Sequence, residues 1–212
     1  MLGFTLCTHH ITTITHTHKS YINGLFTLSF YLLKHSLCAV GDLTQVMEVV
    51  DAPVFSHPFT GIIAGPTKAG KTELAKRIVR NAGTLIFPSP EKIVWCFREF
   101  QPGYRDLMKL PSVELVEGMP DLEQLRADIK TRKLIVMDDM MEAMDKKNCG
   151  LTDIFTRGCH HWNVSVFHIV QNLFYGNIRT ARINSHYIVL LRNPSDKLQA
   201  VQLAHQMYPG KV

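Results

Sequence analysis

Eight residues that follow a short apolar run constrain this chain more than any other feature. Residues 65–72 have the sequence GPTKAGKT, which satisfies the pattern G-x-x-x-x-G-K-[ST]. The preceding run FTGIIA at 59–64 predicts a buried strand, and KTELAKRIVRN at 71–81 has the apolar spacing of a helix. A strand, this loop and a helix in that order form the structural context in which such an octet binds phosphate.

The chemistry of the loop follows from its residue types. Glycine permits backbone conformations that turn N–H groups inward, and the helix that follows adds the positive end of its dipole. Lys71 is expected to bridge the β- and γ-phosphates of ATP, and Thr72 to present its hydroxyl to Mg²⁺. The residues expected to hold the nucleotide are Gly65, Pro66, Thr67, Lys68, Ala69, Gly70, Lys71 and Thr72.

Two carboxylates follow the apolar run LIVM at 134–137. Because the carboxyl ends of strands line the ligand crevice of an α/β sheet, Asp138 and Asp139 are expected beside the phosphates. Asp138 is the expected second protein ligand of Mg²⁺, with Thr72. Asp139 is expected to orient or deprotonate the attacking water. The competing interpretation is that the two acids only cap the next helix.

Other candidates complete the catalytic set. Gln171 directly follows the predicted strand VSVFHIV at 164–170, so its amide is expected near the γ-phosphate or the attacking water. The alternative interpretation is that Gln171 is an ordinary loop residue. An arginine that stabilises charge on the transferring phosphoryl group accelerates hydrolysis by roughly 10³–10⁵. Arg157 is the first candidate for this finger, with Arg179 and Arg182 as competitors. A solvated surface charge is the alternative for each.

Apolar runs alternate with helical patterns from residue 59 onward, which predicts an α/β fold with a mostly parallel, doubly wound sheet and helices on both faces. Asp121 is the expected N-cap of a helix that buries Leu122, Leu125 and Ile129, and Ser195 is the expected cap of the last helix. The predicted strands cover residues 59–64, 92–97, 113–117, 134–137, 164–170 and 187–191. This is the fold of a P-loop NTPase.

The first 41 residues differ from the rest, because they contain five histidines and no Asp or Glu. Their apolar run, GLFTLSFYLL at 24–33, is ten residues long, whereas a helix needs about 20 to span a bilayer. Its flanks match a signal peptide only loosely. We expect residues 1–41 to be a poorly ordered or non-native extension, and residues 42–212 to form the ATPase domain.

Composition narrows the class of protein further. A hydrophobic fraction of 46% with 19% charged residues is typical of a globular chain, and a net charge of +5 permits a polyanionic partner without requiring one. The five cysteines include no C-x-x-C pair, which fits a reducing compartment. We expect an intracellular protein with no membrane association.

Longer blocks go beyond a generic phosphate-binding loop. They are IVWCFREFQPGY at 93–104, VELVEGMP at 113–120, LIVMDD at 134–139, FTRGCHHWNVSVFHIVQNLF at 155–174, SHYIVLLRNPSDK at 185–197 and LAHQMYPG at 203–210. With the octet, they make residues 46–210 resemble the poxvirus-type DNA-packaging ATPases of the FtsK–HerA superfamily, in particular those of Maverick/Polinton elements and adinto-like viruses.

The resemblance implies a RecA/FtsK-like core, a homo-oligomeric ring, and ATP-driven movement of double-stranded DNA into a capsid. Capsid or portal components are then partners, and the host nucleus, a viral factory or the virion is the location. Two departures stand out. Superfamily members often carry Glu where Asp139 stands, and the chain stops at Val212, soon after QMYPGK, where the resemblance predicts a further strand. A C-terminally truncated or endogenised copy is therefore one interpretation.

A DNA pump is expected to hold backbone phosphates through Lys and Arg without recognising bases. Residues 174–182 mix aromatics with arginines, although a solvated basic loop explains them equally well. The basic residues of the last 40 positions are Arg179, Arg182, Arg192, Lys197 and Lys211, against one acid, Asp196.

Two other functions stay open. A P-loop nucleotide kinase fits the size and the loop, but it needs no acid pair with a strand-end glutamine. A remnant that binds nucleotide without hydrolysing it is the other alternative.

Overall fold

The computed structural model describes residues 30–34, 54–140 and 150–207. The rest of the predicted N-terminal extension lies outside these residues. So do Lys211 and Val212, the position at which a truncation is one interpretation of the sequence. Within them, no helix has both the length and the apolar character required to cross a membrane.

The described residues form a large central sheet and a small two-stranded one. In the large sheet the order is β1-β9-β3-β8-β7-β5-β6, with β1 antiparallel to β9 and every other neighbouring pair parallel. The small sheet pairs β2 with β4 in parallel. The strands are β1 Phe30–Lys34, β2 Phe55–Ser56, β3 Thr60–Ala64, β4 Ile86–Phe87, β5 Lys92–Phe97, β6 Val113–Glu117, β7 Lys133–Asp138, β8 Val164–Val170 and β9 Tyr187–Leu191.

Short helices connect the strands. A π-helical turn, Ile154–Gly158, joins α4 directly to α5, and two 3₁₀ segments cover Pro102–Lys109 and Gly176–Ile178. The α-helices are α1 Lys71–Arg80, α2 Ala82–Leu85, α3 Leu122–Ala127, α4 Leu151–Asp153, α5 Cys159–His161, α6 Arg179–Ile183 and α7 Leu198–Met207.

The core has two layers, one on each face of the sheet. Side chains alternate along β5, so that Trp95 packs in the layer that contains Leu74 of α1, while Cys96 packs in the layer that contains Phe155. Strands β3, β7, β8 and β9 are buried along their whole length. The predicted α/β fold, with a mostly parallel sheet and helices on both faces, is therefore confirmed.

Two predicted helix ends differ from the observed ones. The Asp121 side chain does accept from the backbone N–H groups of Glu123 and Gln124, at 2.9 and 3.2 Å, but the helix ends at Ala127 and Ile129 is 54% exposed. The expectation that Ile129 faces inward is wrong. Ser195 does not cap the last helix either, because that helix begins only at Leu198. The N–H of Ser195 instead donates to Oδ1 of Asn193 in the preceding turn, at 3.1 Å.

Residues 30–34 lie inside the segment that the sequence predicts as an extension. They form β1, whose Phe30 lies opposite Leu191 at the edge of the large sheet. Residues 1–29 and 35–41 of that segment are not among the described residues. The division of the chain at residue 41 therefore stays a prediction.

Candidate functional site

The order of strands brings the predicted site together. β8 lies between β3 and β7, so the loop after β3, the carboxylates after β7 and Gln171 after β8 meet at one edge of the sheet. They line a cleft of about 410 Å³. Of the predicted site residues, the cleft contains Thr67, Lys68, Gly70, Lys71, Thr72, Asp138, Asp139 and Gln171.

The loop at 65–70 has the backbone of an anion-binding nest. Lys68 and Gly70 adopt left-handed conformations, with φ of 64° and 92°, and Gly70 is the N-cap of α1. The N–H of Ala69 donates to the carbonyl of Pro66 at 3.1 Å, which closes the turn. Left-handed residues that alternate with right-handed ones direct N–H groups to a common point, where the helix N-terminus adds favourable potential for an anion.

Gly65 is required by close packing between β3 and its neighbours. Its N–H donates to the carbonyl of Val170 at 3.2 Å, and a Cβ added to it would lie 2.8 Å from Cβ of Leu191. Gly65→Ala is therefore expected to lower the free energy of unfolding by about 1–3 kcal/mol, as overpacking does. Chemical denaturation of the two proteins measures this difference.

Gly83→Ala provides the matched control for that substitution. A Cβ at Gly83 meets nothing within 4 Å, and the residue lies in α2, so alanine is expected to stabilise the protein by about 0.5–1 kcal/mol. If the Gly65 variant proves as stable as the Gly83 variant, close packing against Leu191 does not explain the glycine.

Lys71 lies folded over the loop. Its Nζ donates to the carbonyls of Gly65 and Pro66, at 2.8 and 2.9 Å. Partial burial lowers the pKa of Lys71, although the negative charges of Asp138 and Asp139 act in the opposite direction. The ammonium group is thus held at the mouth of the nest, where phosphate oxygens can replace the two carbonyls as its partners.

Asp138 is the buried carboxylate of the site. It is 3% exposed, and this burial raises its pKa, while hydrogen bonds from the hydroxyls of Tyr104 and Thr72 favour the charged form. A hydroxyl and a carboxylate in contact at the edge of a phosphate-binding cleft are the hard oxygen ligands that Mg²⁺ prefers. Thr72 and Asp138 therefore fit the metal role that the sequence predicts for them.

Asp139 is exposed to the cleft and has an unusual backbone. Its φ is 56°, a left-handed conformation in which Asp is enriched among non-glycine residues. The chain turns away from β7 at this point, which leaves the side chain on the cleft wall beside the buried Asp138. A solvent-accessible carboxylate there is suited to contact water rather than to pack.

The three candidate arginines lie elsewhere. The Arg157 side chain is 67% exposed on the π-helical turn, 4.0 Å from the Asp153 carboxylate. Arg179 is exposed at the start of α6. Neither belongs to the cleft lining in the described part of the chain, so a finger role for either stays a prediction about a neighbouring protomer.

Arg182 is a packing residue in this protomer. It is 9% exposed, its guanidinium lies 4.4 Å from the centre of the Phe174 ring, and it donates to the Gln206 side chain. Burial also lowers the pKa of Arg182. These contacts pack the Arg182 guanidinium against its own subunit, and within the described residues it is not part of the cleft lining, so a finger or DNA role for Arg182 also stays a prediction.

Sequence reasoning missed one wall of the cleft. Lys76 is 8% exposed, pairs with Glu73 at 2.9 Å and lines the cleft. Gln101, Gly103 and Tyr104 also line it. The available signal was their position after β5, whose carboxyl end lies at the same edge of the sheet as that of β7.

Among known proteins, this chain has a weak structural likeness and no sequence match. No protein-family model matches the chain, and no curated protein does. Among solved structures it is similar to the cytoplasmic domain of the Thermomonospora curvata type VII secretion ATPase EccC, with 13% identity and a TM-score of 0.46. The likeness covers 64% of this chain and 20% of that one, so the chain spans about a fifth of that protein's length. What the chain can do follows from its own α/β fold and the residues of its cleft.

Proposed function

We propose that this chain binds ATP together with Mg²⁺ and hydrolyses the bond to the γ-phosphate. One observation carries the proposal: Lys71, Thr72 and the acid pair Asp138–Asp139 come from separate parts of the chain and meet in a single cleft. A phosphate nest alone accounts for binding. A buried carboxylate beside the Thr72 hydroxyl, with an exposed carboxylate next to it, adds what hydrolysis needs.

Each residue has a chemical role in this proposal. The N–H groups of the loop and the Lys71 ammonium bind the β- and γ-phosphates and offset charge that develops during transfer. Thr72 and Asp138 hold Mg²⁺, which as a bound cation neutralises charge on the phosphate oxygens. Asp139 orients the attacking water and accepts its proton, and the Gln171 amide contacts the γ-phosphate or that water.

We further propose that hydrolysis drives double-stranded DNA through a homo-oligomeric ring into a capsid. Support comes from the sequence blocks over residues 46–210 and their resemblance to packaging ATPases. Arg179, Arg192 and Lys197 are exposed and available for DNA phosphates, and the exposed Arg157 is available to a neighbouring protomer. Capsid or portal components are the proposed partners, in the host nucleus, a viral factory or the virion.

Steady-state ATPase measurements with and without duplex DNA test both levels of the proposal. We expect Mg²⁺-dependent ATP hydrolysis that increases with DNA of any sequence and loses that increase at high salt, because phosphate contacts release counterions. Hydrolysis that ignores DNA contradicts the motor while leaving the ATPase intact. Phosphoryl transfer to a nucleoside monophosphate, instead of to water, identifies a kinase.

A further inference from the structure

Tyr104 contacts the buried carboxylate of the candidate site directly. Its hydroxyl donates to Oδ2 of Asp138 over an O–O distance of 2.9 Å. Tyr104 is 1% exposed and Asp138 is 3% exposed, so bulk water does not compete for this hydrogen bond. Thr72 lines the same cleft, so hydroxyl groups from two different segments lie in the same site as this carboxylate.

The ring of Tyr104 is fixed by other aromatic rings. Its centre lies 5.6 Å from that of Trp95, 5.4 Å from that of Phe97 and 5.9 Å from that of Phe100. Aromatic pairs at such separations in tilted or edge-to-face arrangements stabilise each other beyond the area they bury. The tyrosine hydroxyl therefore has a defined position before any ligand binds.

The segment that carries Tyr104 is also attached to the helix of the phosphate-binding loop. Asp106 lies 3.7 Å from the Arg80 guanidinium of α1, and the space beside Gly103 is closed by Nζ of Lys76, 3.4 Å from an added Cβ. The 3₁₀ segment Pro102–Lys109 thus spans from α1, which begins at Lys71, to the end of β7. The segment that carries Tyr104 therefore contacts both halves of the site.

A carboxylate that binds a cation must present its oxygens in a defined plane. The hydrogen bond from Tyr104 restricts rotation of the Asp138 carboxylate, and residues that orient metal ligands in this way typically affect metal affinity or activity by roughly 10–100-fold. We propose that Tyr104 is a positioning residue, which orients the Asp138 carboxylate toward Mg²⁺ on the bound nucleotide. This inference rests on the proposed ATPase function.

The test is Tyr104→Phe, which removes the hydroxyl and keeps the ring. Affinity for a fluorescent ATP analogue is titrated with Mg²⁺ and, separately, with EDTA. The gain in affinity that Mg²⁺ provides is expected to fall about 10-fold in the variant, with affinity in EDTA unchanged. In turnover, we expect kcat to fall by about the same factor while KM at saturating Mg²⁺ changes less.

Tyr187→Phe is the matched control, since it also deletes a buried tyrosine hydroxyl. That hydroxyl accepts from the N–H of Ser56 at 3.1 Å, in a contact that involves neither the loop nor the acid pair. Both variants are expected to lose some thermal stability, but the control is expected to keep its Mg²⁺ dependence. Equal loss of Mg²⁺-dependent affinity in the two variants would overturn the inference.

Combination with Asp138→Asn separates positioning from general damage. If Tyr104 acts through Asp138, its removal in the Asp138→Asn background is expected to change Mg²⁺-dependent affinity less than about 2-fold, in a double-mutant cycle. A full loss of about 10-fold in that background contradicts the inference.

If the wild-type protein itself binds nucleotide without any Mg²⁺ effect, the proposed function fails and the inference fails with it. If the Tyr104→Phe variant gains as much nucleotide affinity from Mg²⁺ as the wild-type protein does, the inference is overturned and the proposed function still stands.

Discussion

Lys71→Ala is expected to lower ATP turnover by about 10³-fold, the upper end of what removal of one preorganised charge-stabilising donor costs. In the structure the Lys71 ammonium is already held over the loop by the carbonyls of Gly65 and Pro66. The ammonium therefore lies beside the nest already, and it exchanges these two carbonyls for phosphate oxygens when the nucleotide binds. Steady-state release of inorganic phosphate, with enzyme in amounts that detect the residual rate, measures the effect.

Lys130→Ala controls for loss of a positive charge. Lys130 is exposed, and it precedes β7 in the chain, so it lies toward the opposite edge of the sheet from Asp138. Its replacement is expected to leave turnover within about 2-fold of the wild-type rate, as for a surface substitution away from the site. A Lys71 variant that retains more than a tenth of wild-type turnover would show that the cleft is not the site of hydrolysis, and that the measured activity has another source.

Asp139→Asn is expected to lower turnover by about 10²–10⁴-fold while ATP binding stays within a few-fold of wild type. Asparagine removes the charge and the basicity that act on water. It also tolerates the left-handed backbone of this position, where φ is 56°. The substitution therefore changes the chemistry without disturbing the fold. Single-turnover hydrolysis and equilibrium binding of a fluorescent ATP analogue, measured on the same protein, separate the two effects.

Asp139→Glu and Asp139→Ala bracket that result. Glutamate restores a carboxylate, so we expect it to recover turnover to within about 10-fold of wild type. Alanine removes the carboxylate and also strains the backbone, which is expected to cost roughly 1–2 kcal/mol of stability in addition. Wild-type turnover in the Asn variant would show that Asp139 does not act on the water.

Much of the sheet could be predicted because strands β3, β5, β7, β8 and β9 are buried along all or nearly all of their length. Such strands appear in sequence as largely apolar runs, and β5, β8 and β9 have the predicted bounds. β6 also has the predicted bounds, although it contains two exposed glutamates beside its apolar residues. The position of the acid pair followed from the same property, since the carboxyl ends of parallel strands share one edge. β1, β2 and β4 were missed. The latter two have two residues each, too few for any periodic pattern.

Side-chain contacts between distant segments were beyond prediction. Tyr104 and Asp138 are 34 positions apart, and no local pattern distinguishes a tyrosine that contacts a carboxylate from one that only packs. The burial of Arg182 depends in the same way on Phe174 and Gln206, which come from different elements. Ile129 was misplaced because helix α3 ends at Ala127, two residues short of the apolar spacing that predicted it.

The position of β3 in the sheet affects how the chain folds while it is being synthesised on the ribosome. β3 carries the phosphate-binding loop, yet its partners are β8 and β9, which are made about 100 residues or more later. At typical synthesis rates this leaves the loop without its supporting sheet for on the order of 10 s. Under the proposed function, ATP therefore meets a formed site only on chains whose synthesis has passed β9. By mass action, bound ATP then stabilises those chains, whereas chains that still lack β8 and β9 gain no such stabilisation.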